Sequence, residues 1–394
     1  IHSVLEKAYN ISIEEWNRLS QNAYKYCNFK FKSEFCNNNN IQSILKEFKM
    51  RKTIPKTNKI FINFKPDNNT PYGGGNISTY YLQTFLSSDK TNFSITFDLE
   101  SRIYIYLIID PFKGQFKNYS LADTIHHKGN VNKKKIVLRV NDCDITREVN
   151  KNNSREKEIL KHFNNIDAFI FNSVFIKNYY FKRFNEHKLK VTQPFACIIN
   201  GCDQTLFKPI KTPQQLDKKI KIVTHHWSDN MNKGYETYYK LWMESTNKTS
   251  NIEFVFIGKN VPKMFKNVPI IGPYNGSQLV SELQKCHIYI TDSVNDSCPN
   301  HVLEASSCGL PILYSNKEGG ARELCMMTPY KIGEPFNSHE ELLSKIQLIT
   351  NNYNFYRQNV LNSLTIFNKE PCAYKYTNFL NCINKKIENI FLPY

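Results

Sequence analysis

The segment from Thr291 to Ala305 contains the side chains best suited to bind a ligand. It reads TDSVNDSCPNHVLEA: an apolar strand ends, a polar loop follows, and a helix begins near Asn300. Backbone N–H groups at a helix start attract anions. Asp296 lies in the loop and Glu304 lies one turn into the helix, so both carboxylates can face one ligand. Because a carboxylate repels phosphate, we expect Glu304 to accept hydrogen bonds from ribose or sugar hydroxyl groups.

Lys233 lies at the start of a second helix, after a strand that ends in His225 and His226. A helix N-terminus attracts anions, so this lysine suits an anionic ligand better than it suits the helix. Taken alone, it could also be a solvated surface charge. The two histidines could equally contact the ligand or be ordinary residues at a strand end. Lys233, Asp296 and Glu304, in this order, are a more specific pattern than any one of them.

The loop and helix around Asp296 and Glu304 resemble the E-x7-E motif of retaining GT-B glycosyltransferases, the large group also called glycosyltransferase family 4. In that family the second glutamate binds the ribose of the nucleotide, which matches Glu304. The first carboxylate lies by the donor sugar, and here Asp296 stands in that place. A lysine followed by glycine contacts the donor diphosphate, which matches Lys233. An arginine usually stands five residues earlier, where this chain has Ser228.

Further segments resemble the same family over most of residues 56–365. The glycine triplet at 73–75 stands where the family has a glycine-rich loop near donor and acceptor, although such triplets are equally typical of flexible loops. The other similar runs are Asn200-Gly201-Cys202-Asp203 with Phe207 and Pro209 at the link between domains, Phe256-Ile257-Gly258 near the nucleotide base, Cys308-Gly309-Leu310-Pro311-Ile312, and Gly319-Gly320-Ala321-Arg322-Glu323-Leu324.

The residue pattern and the resemblance together define a candidate site. We expect the chemistry to be carried by Asp296, Glu304 and Lys233. The donor would also contact Gly258, Pro299, Asn300, His301, Val302, His226, Ser228, Gly74 and Gly75. Arg139, Asn141 and Asp142 lie at the end of the strand from Ile136 to Val140. They would form either an acceptor pocket or an ordinary loop rich in helix caps.

Strands alternate with helices from Lys59 onwards, which is typical of parallel sheets covered by helices on both faces. The first alternation ends in a strand predicted at Ile198 to Gly201, and a second begins at Lys219. The resemblance implies the α/β GT-B fold, with two Rossmann-like doubly wound domains facing across a cleft. We expect a helical segment at 1–55, an acceptor domain at 56–209, a donor domain at 210–365 and closing helices at 366–394. The first segment resembles the closing helices of a preceding domain, and a native extension is the alternative.

The composition favours a globular protein of a reducing compartment. The 394 residues are 41% hydrophobic and 22% charged, and the 11 cysteines form no C-x-x-C pair. No signal peptide or membrane-spanning stretch is visible, so we expect a cytoplasmic protein. The first residue is not methionine, which suggests a piece of a longer chain. The abundance of Asn, Lys and Ile suggests an AT-rich genome, that of a large virus or a protist.

The net charge of +17 favours an anionic partner, which could be nucleic acid, an acidic membrane surface or a phosphorylated small molecule. The densest basic run is only Lys133-Lys134-Lys135, so we expect no nucleic-acid partner. We expect a nucleotide-diphosphate sugar as donor and a glycan, protein or lipid as acceptor, and peripheral membrane contact stays open. We expect neither cofactor nor metal, although Asp142-Cys143-Asp144 has the letters of a D-x-D motif.

The sequence therefore predicts a glycosyltransferase that transfers a sugar with retention at the anomeric carbon. Two other functions remain open. One is a protein that binds a nucleotide sugar without transferring it, which the departures at Asp296 and Ser228 suggest. The other is a basic nucleic-acid-binding protein, suggested by the net charge alone.

Overall fold

The structure, a computed structural model, describes residues 58–66, 74–114, 118–147, 154–211, 216, 219–384 and 391–392. All of them belong to one compact unit, Pro55–Tyr394. The helical segment predicted at 1–55 lies outside the described residues, as do Gly73 and most of residues 212–218. Within the described ranges, no helix is long and apolar enough to cross a membrane.

The first of two sheets is entirely parallel and has the order β13-β6-β5-β4-β3-β1-β2. Its central strands are short runs of apolar side chains that are almost completely buried, as expected for a sheet covered on both faces. The strands are β1 (Asn58–Ile62), β2 (Phe93–Thr96), β3 (Ile105–Ile108), β4 (Lys135–Val140), β5 (Ala168–Phe171), β6 (Phe195–Cys197) and β13 (Phe391–Leu392).

Five helices of the described chain connect these strands. Serine side chains cap three of them, where each accepts a hydrogen bond from a backbone N–H of the first turn. The helices are α1 (Gly74–Ser87), α2 (Leu121–Lys128), α3 (Asp144–Arg147), α4 (Arg155–Lys161) and α5 (Val174–Glu186).

The second sheet is also parallel and has the order β12-β11-β10-β7-β8-β9. Its strands are β7 (Ile220–His226), β8 (Ile252–Gly258), β9 (Ile270–Ile271), β10 (Ile288–Thr291), β11 (Ile312–Ser315) and β12 (Gly333–Phe336). Its helices are α6 (Tyr235–Thr246), α7 (Gly276–Gln284), α8 (Asn300–Ser307), α9 (Gly320–Met326) and α10 (His339–Asn351). The prediction of two doubly wound α/β sheets is confirmed, and the domain boundaries given above stay predictions.

Two closing helices connect the second sheet back to the first. They are α11 (Tyr353–Phe367), which packs on α8, and α12 (Lys369–Asn384), which packs on α1. In the buried interior, Nε of Arg139 on β4 donates to the hydroxyl of Tyr376 on α12 at 2.6 Å. After α12 the chain adds β13 to the edge of the first sheet, beside β6.

Four elements differ from the sequence-based expectation. The strand expected at Ile198 to Gly201 lies earlier, at Phe195–Cys197, and residues 198–201 form the irregular link between the sheets. β12 was not predicted, because its Gly-Glu-Pro-Phe run lacks the β-branched residues typical of strands; as an edge strand it tolerates proline. α2 was also missed, although Ser120 and Asp123 form a capping box at its start. β13 was missed as well, inside the stretch expected to be helical.

We expect Tyr376→Phe to lower the free energy of unfolding by about 1–3 kcal/mol, because it leaves a buried guanidinium N–H without its acceptor. Urea unfolding followed by circular dichroism measures the change. Tyr374→Phe on the same helix is the matched control, since that ring is exposed and its loss of a hydroxyl should be nearly neutral. Equal unfolding midpoints for the two variants would show that the buried hydrogen bond contributes nothing.

Candidate functional site

The candidate site lies at the topological switch point of the second sheet. Neighbouring strands β7 and β10 lead to connections that run in opposite directions, one to β8 and the other to β11. Such a switch point leaves a crevice at the carboxyl ends of the two strands, where ligands bind in open α/β sheets. His225 and His226 end β7, and the loop that follows Thr291 at the end of β10 carries Asp296.

Lys233 and Asp296 form an ion pair in this crevice. Nζ of Lys233 lies 2.5 Å from Oδ2 of Asp296, and both side chains are mostly buried. Lys233 ends a short 3-10 helix, and Gly234 after it adopts a left-handed conformation with φ of 91°. Lys233 and Asp296 therefore lie in contact, and the roles predicted for them stay predictions. Their direct contact was not foreseen.

Glu304 lies in the second turn of α8 and is only 8% exposed. Its Oε2 lies 2.9 Å from Nε2 of His225, and Nδ1 of His225 lies 3.2 Å from the hydroxyl of Tyr289 on β10. A carboxylate only accepts hydrogen bonds, so Nε2 of His225 carries the proton and donates it. His225 therefore orients the carboxylate of Glu304. Sequence reasoning left its role open, and its position at a strand end was the only available signal.

His226 and His301 are two further buried histidines beside His225. Nε2 of His226 lies 3.0 Å from the hydroxyl of Tyr238, and Nε2 of His301 lies 3.1 Å from the hydroxyl of Thr291. Their ring centroids are 4.8 Å apart. Burial is the main cause that lowers the pKa of both imidazoles well below the ordinary histidine value. Both rings are therefore neutral at pH 7, and each is bonded to a protein hydroxyl.

The remaining donor candidates lie after β7, at the end of β8, at the start of α8 and at the start of α1. No side chain caps the N-terminus of α8, where Pro299 is the N-cap and Val302 is fully buried. Gly258 ends β8 so close to the neighbouring strand β7 that an added Cβ would lie 2.3 Å from the carbonyl oxygen of His226. The hydroxyl of Ser228, where the related family has arginine, accepts a hydrogen bond from the N–H of Asn230 at 3.2 Å. Gly74 and Gly75 begin α1.

Polar contacts join the loop of Asp296 and α8 to the first sheet. Nδ2 of Asn172, after β5, donates to the hydroxyl of Ser297 at 3.0 Å, and that hydroxyl donates to the carbonyl of Asn141. Nδ2 of Asn200 donates to Oδ1 of Asn300 at 2.8 Å. The carboxyl ends of the two sheets therefore face each other across the crevice, as the resemblance implied.

Glu323 on α9 caps a helix of the first sheet. Its two carboxylate oxygens accept hydrogen bonds from the backbone N–H groups of Val174 and Phe175, at 2.7 and 2.8 Å. These donors open α5 and would otherwise have no partner within the helix. Burial is the main cause that raises the pKa of Glu323, and the two hydrogen bonds act in the opposite direction. The sequence placed Glu323 in the run from Gly319 to Leu324 that resembles a family motif, but it predicted no contact for this side chain.

The three acceptor-side candidates differ in burial and in hydrogen-bond partners. Arg139 is 4% exposed, and its Nη2 donates to Oδ1 of Asn200 at 2.5 Å, so it belongs to the packing between β4 and the link between the sheets. Nδ2 of Asn141 donates to the carbonyl of Ile109 at 2.9 Å. Oδ1 of Asp142 accepts a hydrogen bond from the N–H of the next residue, Cys143, at 3.0 Å. Asn141 and Asp142 remain half-buried at the crevice edge.

A metal site would need several ligands close together. Among the described residues there is no group of three or more His, Cys, Asp or Glu side chains that could hold a metal ion. Asp144, one member of the D-x-D letters, accepts hydrogen bonds from the hydroxyl of Ser154 and from the N–H of Arg155. The expectation of metal-independent chemistry stays a prediction.

The part of the chain that contains the candidate site resembles a known protein family. Residues 207–362 match the family model described as glycosyl transferases group 1. This segment contains the whole switch point, including Lys233, Asp296 and Glu304. No curated protein sequence matches the chain.

Solved structures with the same fold are distant in sequence. A sucrose-phosphate synthase from Thermosynechococcus elongatus is 13% identical with a TM-score of 0.60, over 82% of this chain and 98% of that one. The Anabaena protein Alr3699/HepE, in complex with UDP-glucose, is 12% identical with a TM-score of 0.57, over 82% and 99%. The pneumococcal O-GlcNAc transferase GtfA, in complex with UDP and GlcNAc, is 12% identical with a TM-score of 0.55, over 71% and 56%.

We expect Gly234→Ala to lower the free energy of unfolding more than Gly276→Ala does, although both residues have left-handed backbones. The strain of that backbone costs about 1–2 kcal/mol for a residue with Cβ, and both variants share it. Only at position 234 would the new Cβ also collide with Asp292, 2.8 Å from its carbonyl oxygen; at position 276 nothing lies within 4 Å. Urea unfolding measures both variants, and equal losses would argue against this packing of the Lys233 turn.

Proposed function

We propose that this group 1 glycosyltransferase moves a glycosyl group from a nucleotide-diphosphate sugar to a hydroxyl group of an acceptor, with retention of the anomeric configuration. The observation that carries the proposal is the convergence of Lys233, Asp296 and Glu304 at one switch point. The acceptor oxygen forms the new bond to the anomeric carbon as the bond from that carbon to the diphosphate breaks. The nucleoside diphosphate leaves with the electron pair, and the hydroxyl proton passes to it or to solvent.

Glu304 is the residue we assign to the nucleoside. One carboxylate oxygen is held by His225, and the second is left to accept a hydrogen bond from a ribose hydroxyl. The residue lies one turn inside α8, so a diphosphate at the N-terminus of α8 would be close to a ribose bonded to Glu304. The complexes of the Anabaena protein with UDP-glucose and of the pneumococcal protein with UDP support a uridine nucleotide as the first ligand to test.

Lys233 is the residue we assign to the leaving diphosphate. An ammonium group has three donors, so Nζ can bond to Asp296 and to a phosphate oxygen at the same time. Positive charge placed where negative charge develops lowers the barrier to the departure of the diphosphate. The contact also keeps Asp296 beside that position, where its carboxylate can bond to hydroxyl groups of the transferred sugar.

A protein that binds the donor without transferring sugar is the second candidate function. Ser228 stands where the related family has an arginine, so one phosphate contact of that family has no counterpart at this position. A donor-hydrolysis assay separates the two functions, since a non-catalytic binder would release no nucleoside diphosphate. We place the protein in the cytoplasm, because nine described cysteines are free and eight of them are buried, as in reducing compartments.

We expect Glu304→Ala to weaken the binding of UDP by about ten- to a hundredfold, because charge-assisted hydrogen bonds contribute roughly 1.5–3 kcal/mol each. Glu304→Gln keeps the shape and one acceptor and should lose less. Isothermal titration calorimetry on folded protein measures the affinities. Equal affinity in the wild type and in Glu304→Ala would remove the ribose assignment.

We expect His225→Phe to weaken the binding of UDP as well, because it frees the carboxylate of Glu304 from its orienting donor. His225→Gln retains an N–H donor and should recover most of the affinity. The matched control is His287→Gln, a buried histidine that bonds to the N–H of Lys221 away from the crevice. If His225→Phe and His287→Gln changed the affinity for UDP equally, His225 would have no positioning role.

We expect turnover to survive EDTA, because Lys233 and the N-terminus of α8 supply positive charge to the leaving diphosphate. The measurement is the release of nucleoside diphosphate from the donor in the presence and absence of the chelator. Loss of turnover that Mg²⁺ or Mn²⁺ restores would show that the reaction needs a metal ion.

A further inference from the structure

A small cavity of about 20 Å³ lies where the link between the two sheets meets α1 and α12. A cavity needs about 10–15 Å³ to hold one water molecule, so this one accepts a single molecule or ion of that size and no organic group. Two cations, Arg139 and Lys369, belong to its lining, and no carboxylate is among the described residues that line it. None of the donor-site residues proposed above lines it either.

Arg139 brings a buried positive charge to this cavity. Its side chain is on a residue only 4% exposed, its Nε donates to the hydroxyl of Tyr376, and its Nη2 donates to Oδ1 of Asn200. The third nitrogen, Nη1, is buried and has no hydrogen-bond partner in the described part of the chain. A buried guanidinium N–H without an acceptor is costly, so an occupant of the cavity that accepts a hydrogen bond from it stabilises the fold.

The charge of Arg139 is also without a counter-ion. Both of its acceptors are uncharged groups, and no carboxylate among the residues that the structure describes forms an ion pair with it. Two other arginines packed around the first sheet show the usual arrangement, since Arg155 pairs with Asp110 and Arg183 pairs with Glu156. Buried charges are normally paired because an unpaired charge inside a protein is costly. Arg139 therefore needs a negative charge that these side chains do not supply.

The carboxylates close to the cavity are bonded to other side chains. Burial raises the pKa of Tyr81 in the lining, and the nearby carboxylates Asp203 and Glu304 raise it further. Asp203 forms an ion pair with Lys369 at 2.7 Å, and Glu304 is bonded to His225 at 2.9 Å. The lysine of the lining is therefore neutralised, whereas neither carboxylate is paired with the arginine.

The hydroxyl group of Tyr376 is a second donor in the lining. It accepts from Nε of Arg139, so its own proton needs another acceptor, and the described chain provides none. Burial raises the pKa of this phenol, so the proton is retained at neutral pH. A water molecule would bring two protons that themselves need acceptors, and it would leave the charge of Arg139 unbalanced. The lining thus favours an anion over water.

The cavity also lies where the two sheets are connected. Arg139 is on β4, Tyr376 is on α12 and Asn200 is in the link, and Nδ2 of Asn200 donates to Oδ1 of Asn300 at the start of α8. An occupant bonded to the guanidinium therefore stabilises a set of contacts that includes both sheets.

We propose that this cavity binds one small inorganic anion, of the size of chloride, through the guanidinium of Arg139. The anion supplies the negative charge that the described side chains lack at this position, and it stabilises the folded state through the connection between Arg139 and Asn200. Because the site is separate from the donor residues, the proposal does not depend on the proposed glycosyltransferase function.

The first experiment measures urea unfolding while sodium gluconate is replaced by sodium chloride at constant ionic strength. Gluconate is too large for the cavity and serves as the reference anion. At a chloride concentration ten times the dissociation constant, the unfolding equilibrium constant should fall about tenfold, because a ligand that binds only the folded state stabilises it. Arg139→Met should lose this dependence on chloride. The matched control is Arg155→Met, which removes an arginine already paired with Asp110 and should retain the dependence.

Bromide then locates the ion directly. Wild-type crystals soaked in sodium bromide should show an anomalous-scattering peak beside Nη1 of Arg139. Water gives no such signal, so density without an anomalous peak at this position would overturn the proposal. Equal chloride dependence in the wild type and in Arg139→Met would overturn it as well. The crystal experiment needs only the wild type, so it decides the question even if Arg139→Met fails to fold.

Discussion

Asn200 connects the two sheets by hydrogen bonds in both directions, and the geometry of the crevice depends on it. Its Oδ1 accepts from the buried guanidinium of Arg139, and its Nδ2 donates to Cys298 and Asn300 at the start of α8. A buried charge needs such partners, because leaving polar groups unpaired inside a protein is costly. The same amide therefore accepts from the buried guanidinium on β4, whose Nη1 has no hydrogen-bond partner among the described residues, and also bonds to the start of the helix that carries Glu304. The first sheet and α8 are in this way held in one arrangement.

Charge pairing then determines what the crevice can bind. Lys233 is paired with Asp296, Glu304 is bonded to His225, and the two deeper histidines are neutral because burial lowers their pKa. Each group that could bind a donor is thus oriented by a protein neighbour before a ligand arrives. Pre-orientation of this kind reduces the entropy lost on binding. Acceptors and donors with fixed directions suit the hydroxyl groups and the diphosphate of the proposed donor.

The first sheet contributes the other face of the crevice through α5. Glu323, from the second sheet, caps this helix, so the face that α5 forms is positioned by a side chain of the second sheet. This cap therefore joins the two sheets at a second place, apart from the contacts of Asn200.

Local patterns in the sequence determined the alternation of strands and helices, and with it the place of the site. Lys233, Asp296 and Glu304 could be selected because the carboxyl ends of adjacent parallel strands must lie at one edge of a sheet. The tertiary structure alone decided which partners these residues have. His225 and Glu304 are separated by 79 positions, and Arg139 and Tyr376 by 237. Contacts over such distances arise from packing rather than from periodicity, which is why Arg139 was assigned to the acceptor side and lies in the interior. The edge strand β12 depends in the same way on the sheet beside it, since its Gly-Glu-Pro-Phe run carries little strand preference.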